Sequence, residues 1–301
     1  KIPKVNFYNH GSVKVIKLMG PAIIGTAAVQ INLLIDTIIA SMLVTGSISW
    51  LYFSDRLIEF PLAVFGIAIS IVILPVLSNY FQKNNIDEYS STIEKSIKLA
   101  FLIAIPSMAG LIILSSSITS ALFMYGSFDI FDARMTALSL VAYSLGLPAF
   151  IFMKILVTAF FSRQDTKTPV LYSLVGISIN ILANVSVLFV YLNHPFEGAH
   201  AFIALATSLS AWVQVILMSL KLRQQNIIKN KIFINKASLK IILSSSVMSV
   251  ILYYFFEASL FDQDLSALMR ASYLIMYIIS GALIYYSFLK LSGIKLKNYR
   301  I

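Results

Sequence analysis

Long apolar runs separated by short polar connections set the pattern of the chain, over 19–45, 49–80, 97–114, 133–161, 169–192, 201–220, 241–256 and 268–289. About 20 apolar residues on a helix cross about 30 Å of hydrocarbon. The pattern therefore predicts an all-α polytopic membrane protein with eight transmembrane helices and both termini on one side. Several runs contain helix breakers: Pro61 and Pro75 in the second, Pro106 and Gly110 in the third, Pro148 in the fourth. A membrane helix tolerates them where neighbours satisfy the freed carbonyls, and they mark bends. Pro169 opens the fifth run in the first turn, where its missing N–H is no loss. The longer connection 115–132 carries a short apolar piece, 118–125, expected to dip into the interface.

Composition agrees with this class and removes others. Hydrophobic residues make up 58% of 301 positions and charged residues 12%, with a mean hydropathy of +0.85, outside the range of ordinary soluble domains. The net charge of +10 would suit nucleic acid if clustered on a soluble face, but 19 of the 23 basic residues fall in alternate connections and at the two termini. That distribution is a topology signal, so no nucleic-acid partner is expected and both termini are placed in the cytoplasm. The exceptions are Arg56, Arg134, Lys154 and Arg270, and the opposite side carries Asp129, Asp132, Glu197, Glu257, Asp262 and Asp264. Cysteine is absent, which excludes disulfides and thiolate metal sites. The first eighteen residues lack the apolar core and cleavage site of a signal peptide and have no initiator Met, so an N-terminal part is expected to be missing.

Two sets of polar residues interrupt the apolar runs. In the second, Tyr52, Asp55, Arg56 and Glu59 stand at i, i+3, i+4 and i+7, so they share one helical stripe. An ionisable group inside a span costs at least about 2.5 kcal/mol on insertion scales, and two readings account for it. Either Arg56 is held between Asp55 and Glu59 as an ion-paired plug, or the stripe lines a hydrated cavity and handles charged cargo. The second set is Asp36 in the first run, Asn180 and Asn184 four apart in the fifth, and Thr207 in the sixth. Taken singly, each is the kind of group that glues membrane helices together, but together they are hard oxygen groups suited to a small cation such as Na⁺. His10, His194 and His200 lie in connections without metal-spaced partners and are read as surface residues. No nucleophile and base arrangement, paired catalytic carboxylates or phosphate-cradling glycine loop is found, so an enzyme is not expected.

Three stretches, KLMGPAIIGTAAVQINLLIDTIIAS, GSISWLYFSDRLIEFPLAVFGIAISIVILPVLS and YSLGLPAFIFMKILVTAFFSRQDTKTPV, together with ALATSLSA, resemble the MurJ (MviN) family of bacterial lipid II flippases, within the multidrug/oligosaccharidyl-lipid/polysaccharide exporter superfamily. The resemblance covers nearly the whole chain and implies spans seven to fourteen of a fourteen-span protein. It implies an interfacial cytoplasmic lead-in over 1–18, a six-helix C-lobe over 19–222, and over 223–301 a basic linker and two helices bordering a lipid-tail groove. The implied activity is the flipping of lipid II, an undecaprenyl-pyrophosphate-linked disaccharide-pentapeptide, across the bacterial inner membrane by alternating access. The implied partners are that lipid, the membrane lipids and the N-terminal six-helix lobe that this chain lacks. Arg56 aligns with an arginine needed for transport and Asp55 and Glu59 with its acidic neighbours, so these residues and Tyr52 are the implied substrate-binding set. No tightly bound cofactor is implied. A sodium site is, from Asp36, Asn180, Asn184, Thr207 and the Ile203 carbonyl, with one Asn where an Asp can stand. Ala63, Ser70 and Ile71 depart from the Gly, Gly and Thr common in the family. The alternatives are another polysaccharide-lipid or drug exporter of the superfamily, a non-transporting membrane scaffold, and a decayed fragment.

Overall fold

A computed structural model describes residues 10–228, 236–256 and 266–294. Helix α1 spans His10–Ser41 and α2 spans Ser47–Pro61; a π-helical turn over Leu62–Ile67 joins α2 to α3, Ala68–Gln82. Then follow α4 (Ile86–Ile113), α5 (Ser115–Phe123), α6 (Ile130–Ser144), α7 (Leu147–Phe161), α8 (Lys167–Asn193), α9 (Ala199–Gln224), α10 (Lys236–Phe256) and α11 (Ala267–Leu291). Among the described residues there is no strand.

The tight link between α1 and α2 needs its glycine: Gly46 has φ +103°, and a Cβ there would stand 2.5 Å from the Trp50 ring. Trp50 is buried, and its Nε1 donates to Asp132 Oδ1 at 2.7 Å, tying the start of α2 to the start of α6. Asp132 and Asp129 also form a reciprocal capping box at the first turn of α6. The second predicted run is one continuous rod from Ser47 to Gln82, but it is not uniformly α-helical. Pro61 has no N–H to give, and the ladder widens into the π turn just after it. Gly66 within that turn lets the backbone approach α7, since a Cβ there would lie 3.4 Å from Ile151 Cα.

The third run begins earlier than the apolar pattern indicates. Asn85 caps α4 through its side chain at Glu88 N (3.2 Å), and the helix starts at Ile86, with Tyr89, Thr92, Ile93 and Ser96 buried on one face. This stretch is amphipathic and docks sideways on α7: Tyr89 Oη donates to Ala159 O (2.5 Å) and lies 2.9 Å from Ser162 Oγ. Tyr89→Phe is expected to lower stability by about 1 kcal/mol, the usual net worth of a buried hydrogen bond, read as a drop in thermal midpoint in detergent. Residues 118–125 prove to be largely part of helix α5, packed on α6 and α11.

The fourth run is broken: α6 and α7 are bent by 42° around Gly146. Helix α7 is the centre of the bundle, with Ile151, Phe152, Ile155, Leu156, Ala159 and Phe160 all fully buried and α4, α9 and the π turn packed around it. Helix α8 lies between α1 and α9, and the α10–α11 hairpin rests on α4 and α5. Among the described residues, six helices are long and apolar enough to span a membrane, seven with the bent pair taken as one span. Helix α1 contributes the shorter apolar stretch Ala27–Ser41. The eightfold count is therefore reached only if α1 also spans. Helix α1 already begins at His10, inside the stretch that the sequence assigns to a lead-in.

Candidate functional site

Helix α8 carries Asn180 and Asn184 one turn apart, 1% and 0% exposed, facing both neighbours. Toward α1, Asn184 Nδ2 donates to Asp36 Oδ1 at 2.6 Å. Along α8 the same amide donates to Asn180 Oδ1 at 2.9 Å. Toward α9, Asn180 Nδ2 donates to Thr207 Oγ1 at 3.0 Å, and that hydroxyl donates to Ile203 O at 3.2 Å. The five groups read from sequence and resemblance thus meet in one cluster joining three helices. Asn32, one turn before Asp36, joins them by donating to Asp36 Oδ2 at 3.1 Å. The i, i+4 spacing from Asp36 was its sequence signal.

The cluster has one carboxylate and otherwise neutral oxygens, and Asn184 Oδ1 is buried with no hydrogen-bond partner. An orphaned buried carbonyl costs about 1–3 kcal/mol unless a positive group meets it. The donor set therefore suits a hard monovalent cation. Among the described residues no cluster of three His, Cys, Asp or Glu exists.

The charged stripe of α2 is arranged differently from the plug reading. Arg56 Nη1 pairs with Glu59 Oε2 at 2.5 Å, both side chains half exposed, at 53% and 52%. Its guanidinium sits 4.9 Å above the exposed Tyr52 ring. Asp55 is half-buried and forms no ion pair with it. Arg56 is therefore not held between two acids: i and i+3 share a face, whereas adjacent residues point about 100° apart. An exposed pair of this kind, screened and held by two mobile side chains, contributes too little to lock helices together. Tyr52, Arg56 and Glu59 lie on an open face of the chain; Asp55 turns toward the bundle. Lys154, half-buried on α7, is a second cation within a span and pairs with no acid among the described residues.

Two further polar residues are buried, of which His200 departs from the sequence reading. His200 is buried, 1% exposed, with Nε2 at 2.9 Å from Met135 O and its ring 4.8 Å from that of Trp50. It is a core histidine joining α9 to α6; its position at the first turn of a helix made it look like a loop residue. Only His194 is exposed as expected, and the side chain of His10 lies outside the described residues. Arg270 is buried on α11, where Nη2 donates to Met124 O at 3.3 Å and the guanidinium lies 5.4 Å over Tyr125, anchoring the hairpin to the end of α5.

A helical bundle of this kind, with polar side chains gathered between three apolar helices, is a multi-pass membrane protein. The family model described as lipid II flippase MurJ matches residues 1–273. A probable lipid II flippase MurJ of Vibrio cholerae is 42% identical over 225 residues, 75% of this chain and 42% of the relative. The corresponding Haemophilus influenzae protein is 34% identical over 303 residues, 97% of this chain and 57% of the relative. A solved lipid II flippase MurJ in an inward closed conformation superposes with a TM-score of 0.72 at 26% identity, covering 95% of this chain and 56% of that one. The chain belongs to the lipid II flippase MurJ family and spans about half the length of these relatives.

Proposed function

We propose that this chain is the C-terminal portion of a lipid II flippase of the bacterial inner membrane, with both described ends of the bundle cytoplasmic. The observation that carries the reading is Arg56: a guanidinium set within a span of a MurJ-family chain, on an open helix face, paired with one half-exposed carboxylate and stacked over Tyr52. Its planar fork matches phosphate oxygens in a way that an ammonium does not. Glu59 occupies the fork when cargo is absent and competes for it as cargo leaves. Tyr52 supports the guanidinium from below, and Asp55 sets a negative edge on the same stripe.

The stripe has two acids for one base, so the pyrophosphate of a lipid-linked head group needs further cations. The N-terminal six-helix lobe that the resemblance implies would supply them. On this reading, α1 to α9 over 19–222 form the C-lobe, and 223–301, with α10 and α11, form a hairpin that borders the lipid tail. Transport is alternating access, two lobes rocking about a midplane cavity, with no bond made or broken. The π turn after Pro61 is where the cargo helix bends; Ala63 within it and Ser70, whose Oγ donates to Gly66 O at 2.8 Å, stiffen the bend relative to the glycines common elsewhere in the family.

The cluster of Asp36, Asn180, Asn184, Thr207 and the Ile203 carbonyl is proposed to hold Na⁺, which would supply positive charge between α1, α8 and α9. Lipid II binding to the full-length protein, followed by native mass spectrometry, tests the cargo assignment. Arg56→Ala is expected to weaken binding at least about tenfold, the loss of one charge-assisted pair; unchanged binding would return Arg56 to a surface ion pair.

A further inference from the structure

While Asp36 is ionised, the polar cluster contains a conflict that hydrogen bonds alone do not resolve. Asn180 Oδ1 lies 2.9 Å from Asp36 Oδ1 and 3.1 Å from Asn32 Oδ1, so three acceptor oxygens from α1 and α8 converge. Turning the Asn180 amide over gives both α1 oxygens a donor and offers its carbonyl to Thr207 N at 3.1 Å. It then sets the new nitrogen 2.9 Å from Asn184 Nδ2, donor against donor. Turning Asn184 as well removes that clash but puts its carbonyl oxygen where its nitrogen now meets Asp36 Oδ1 at 2.6 Å, acceptor against acceptor. With Asp36 ionised, every arrangement of the two amides leaves like groups facing, and both amides are buried.

A positive charge among the oxygens removes the conflict. Oxygens about 3 Å apart are the edges expected when ligands surround a hard cation at roughly 2.3–2.6 Å. We infer that Asn32 is a direct oxygen ligand of this site, presenting its side-chain carbonyl from α1 one turn ahead of Asp36. The inference rests on the reading of the cluster as a Na⁺ site and adds to it a residue that the five-group set leaves out. Asn32 places two ligands of one site on α1, so occupancy ties α1 to α8 through two side chains. Without the ion, Asn32 Nδ2 merely holds Asp36 Oδ2.

The test is the thermal midpoint of the purified full-length protein as NaCl replaces N-methylglucamine chloride at constant ionic strength. Wild type is expected to show a saturable stabilisation. Asn32→Ala is expected to shift its half-saturating Na⁺ concentration upward at least tenfold, and Asn32→Asp, which retains an oxygen ligand, is expected to keep the response. Asn32→Ser replaces the alanine variant should that fail to fold. A wild type without a saturable Na⁺ response would overturn the cation reading itself. A normal wild-type response with Asn32→Ala titrating identically, or merely lowered in midpoint by the same amount in every salt, would overturn the role of Asn32 alone.

Discussion

Gly146→Val is expected to lower the stability of the protein more than any conservative surface change, by about 2–4 kcal/mol from overpacking together with a displaced buried hydrogen bond. Gly146 sits at the 42° bend between α6 and α7 with φ −86°, a conformation open to any residue, so the penalty is one of space. A Cβ there would lie 2.6 Å from Ser208 Oγ and 2.8 Å from Ser208 Cα, and the backbone of α9 has little room to retreat. Ser208 Oγ is already bound to Ala142 O at 2.8 Å, and Trp212 of the same helix donates to Leu145 O at 2.9 Å. Those two bonds satisfy carbonyls that the bend frees, so pushing α9 away unpairs both. Thermal midpoints in detergent check this, with Gly110→Ala as control. Beyond its chain neighbours and its own helix backbone, nothing lies within 4 Å of a Cβ at Gly110, so that change should be neutral or stabilising.

Asp36→Asn is expected to abolish sodium-dependent stabilisation and to cut translocation by at least about a hundredfold, since the site's only carboxylate supplies its charge. The substitution keeps the shape of the side chain and leaves one oxygen for the amide of Asn184, which now donates to Asp36 at 2.6 Å. Loss of fold is therefore not the expected cause. The new amide accepts from Asn184 but presents a donor to Asn32 Nδ2, which now donates to Asp36 Oδ2 at 3.1 Å, so that bond is lost unless Asn32 turns its own amide over, a cost of about 1 kcal/mol that leaves the helices packed. Titration of the thermal midpoint with NaCl, alongside flux measured with and without a Na⁺ gradient, checks both parts. Flux that keeps its Na⁺ dependence in Asp36→Asn would assign coupling to another site.

Most of this architecture was legible because the apolar runs are long and the polar groups within them few. Asp36, Asn180, Asn184 and Thr207 stood out for that reason, and helical periodicity together with resemblance was enough to group them. What escaped were features set by packing. The early start of α4 is dictated by Tyr89 docking on α7, which hydropathy does not register. The burial of His200 depends on Trp50 and Met135, remote in sequence. The plug alternative set Arg56 between Asp55 and Glu59, and direction around the helix pairs it with Glu59 alone. Asn32 was visible as a polar residue, but its role emerges only from the converging oxygens of Asp36 and Asn180.

The central claim, that this chain moves a pyrophosphate-linked lipid past Arg56 as part of a longer flippase, is tested most directly by lipid II translocation in proteoliposomes. The full-length protein and its Arg56→Ala variant would be compared at matched abundance with folding verified. The expected result is flux in the wild type and its loss in the variant, with the thermal midpoint of the variant within a few degrees of wild type. Equal flux in both would contradict the placement of Arg56 in the cargo path, and no flux from a folded wild type would contradict the flippase reading.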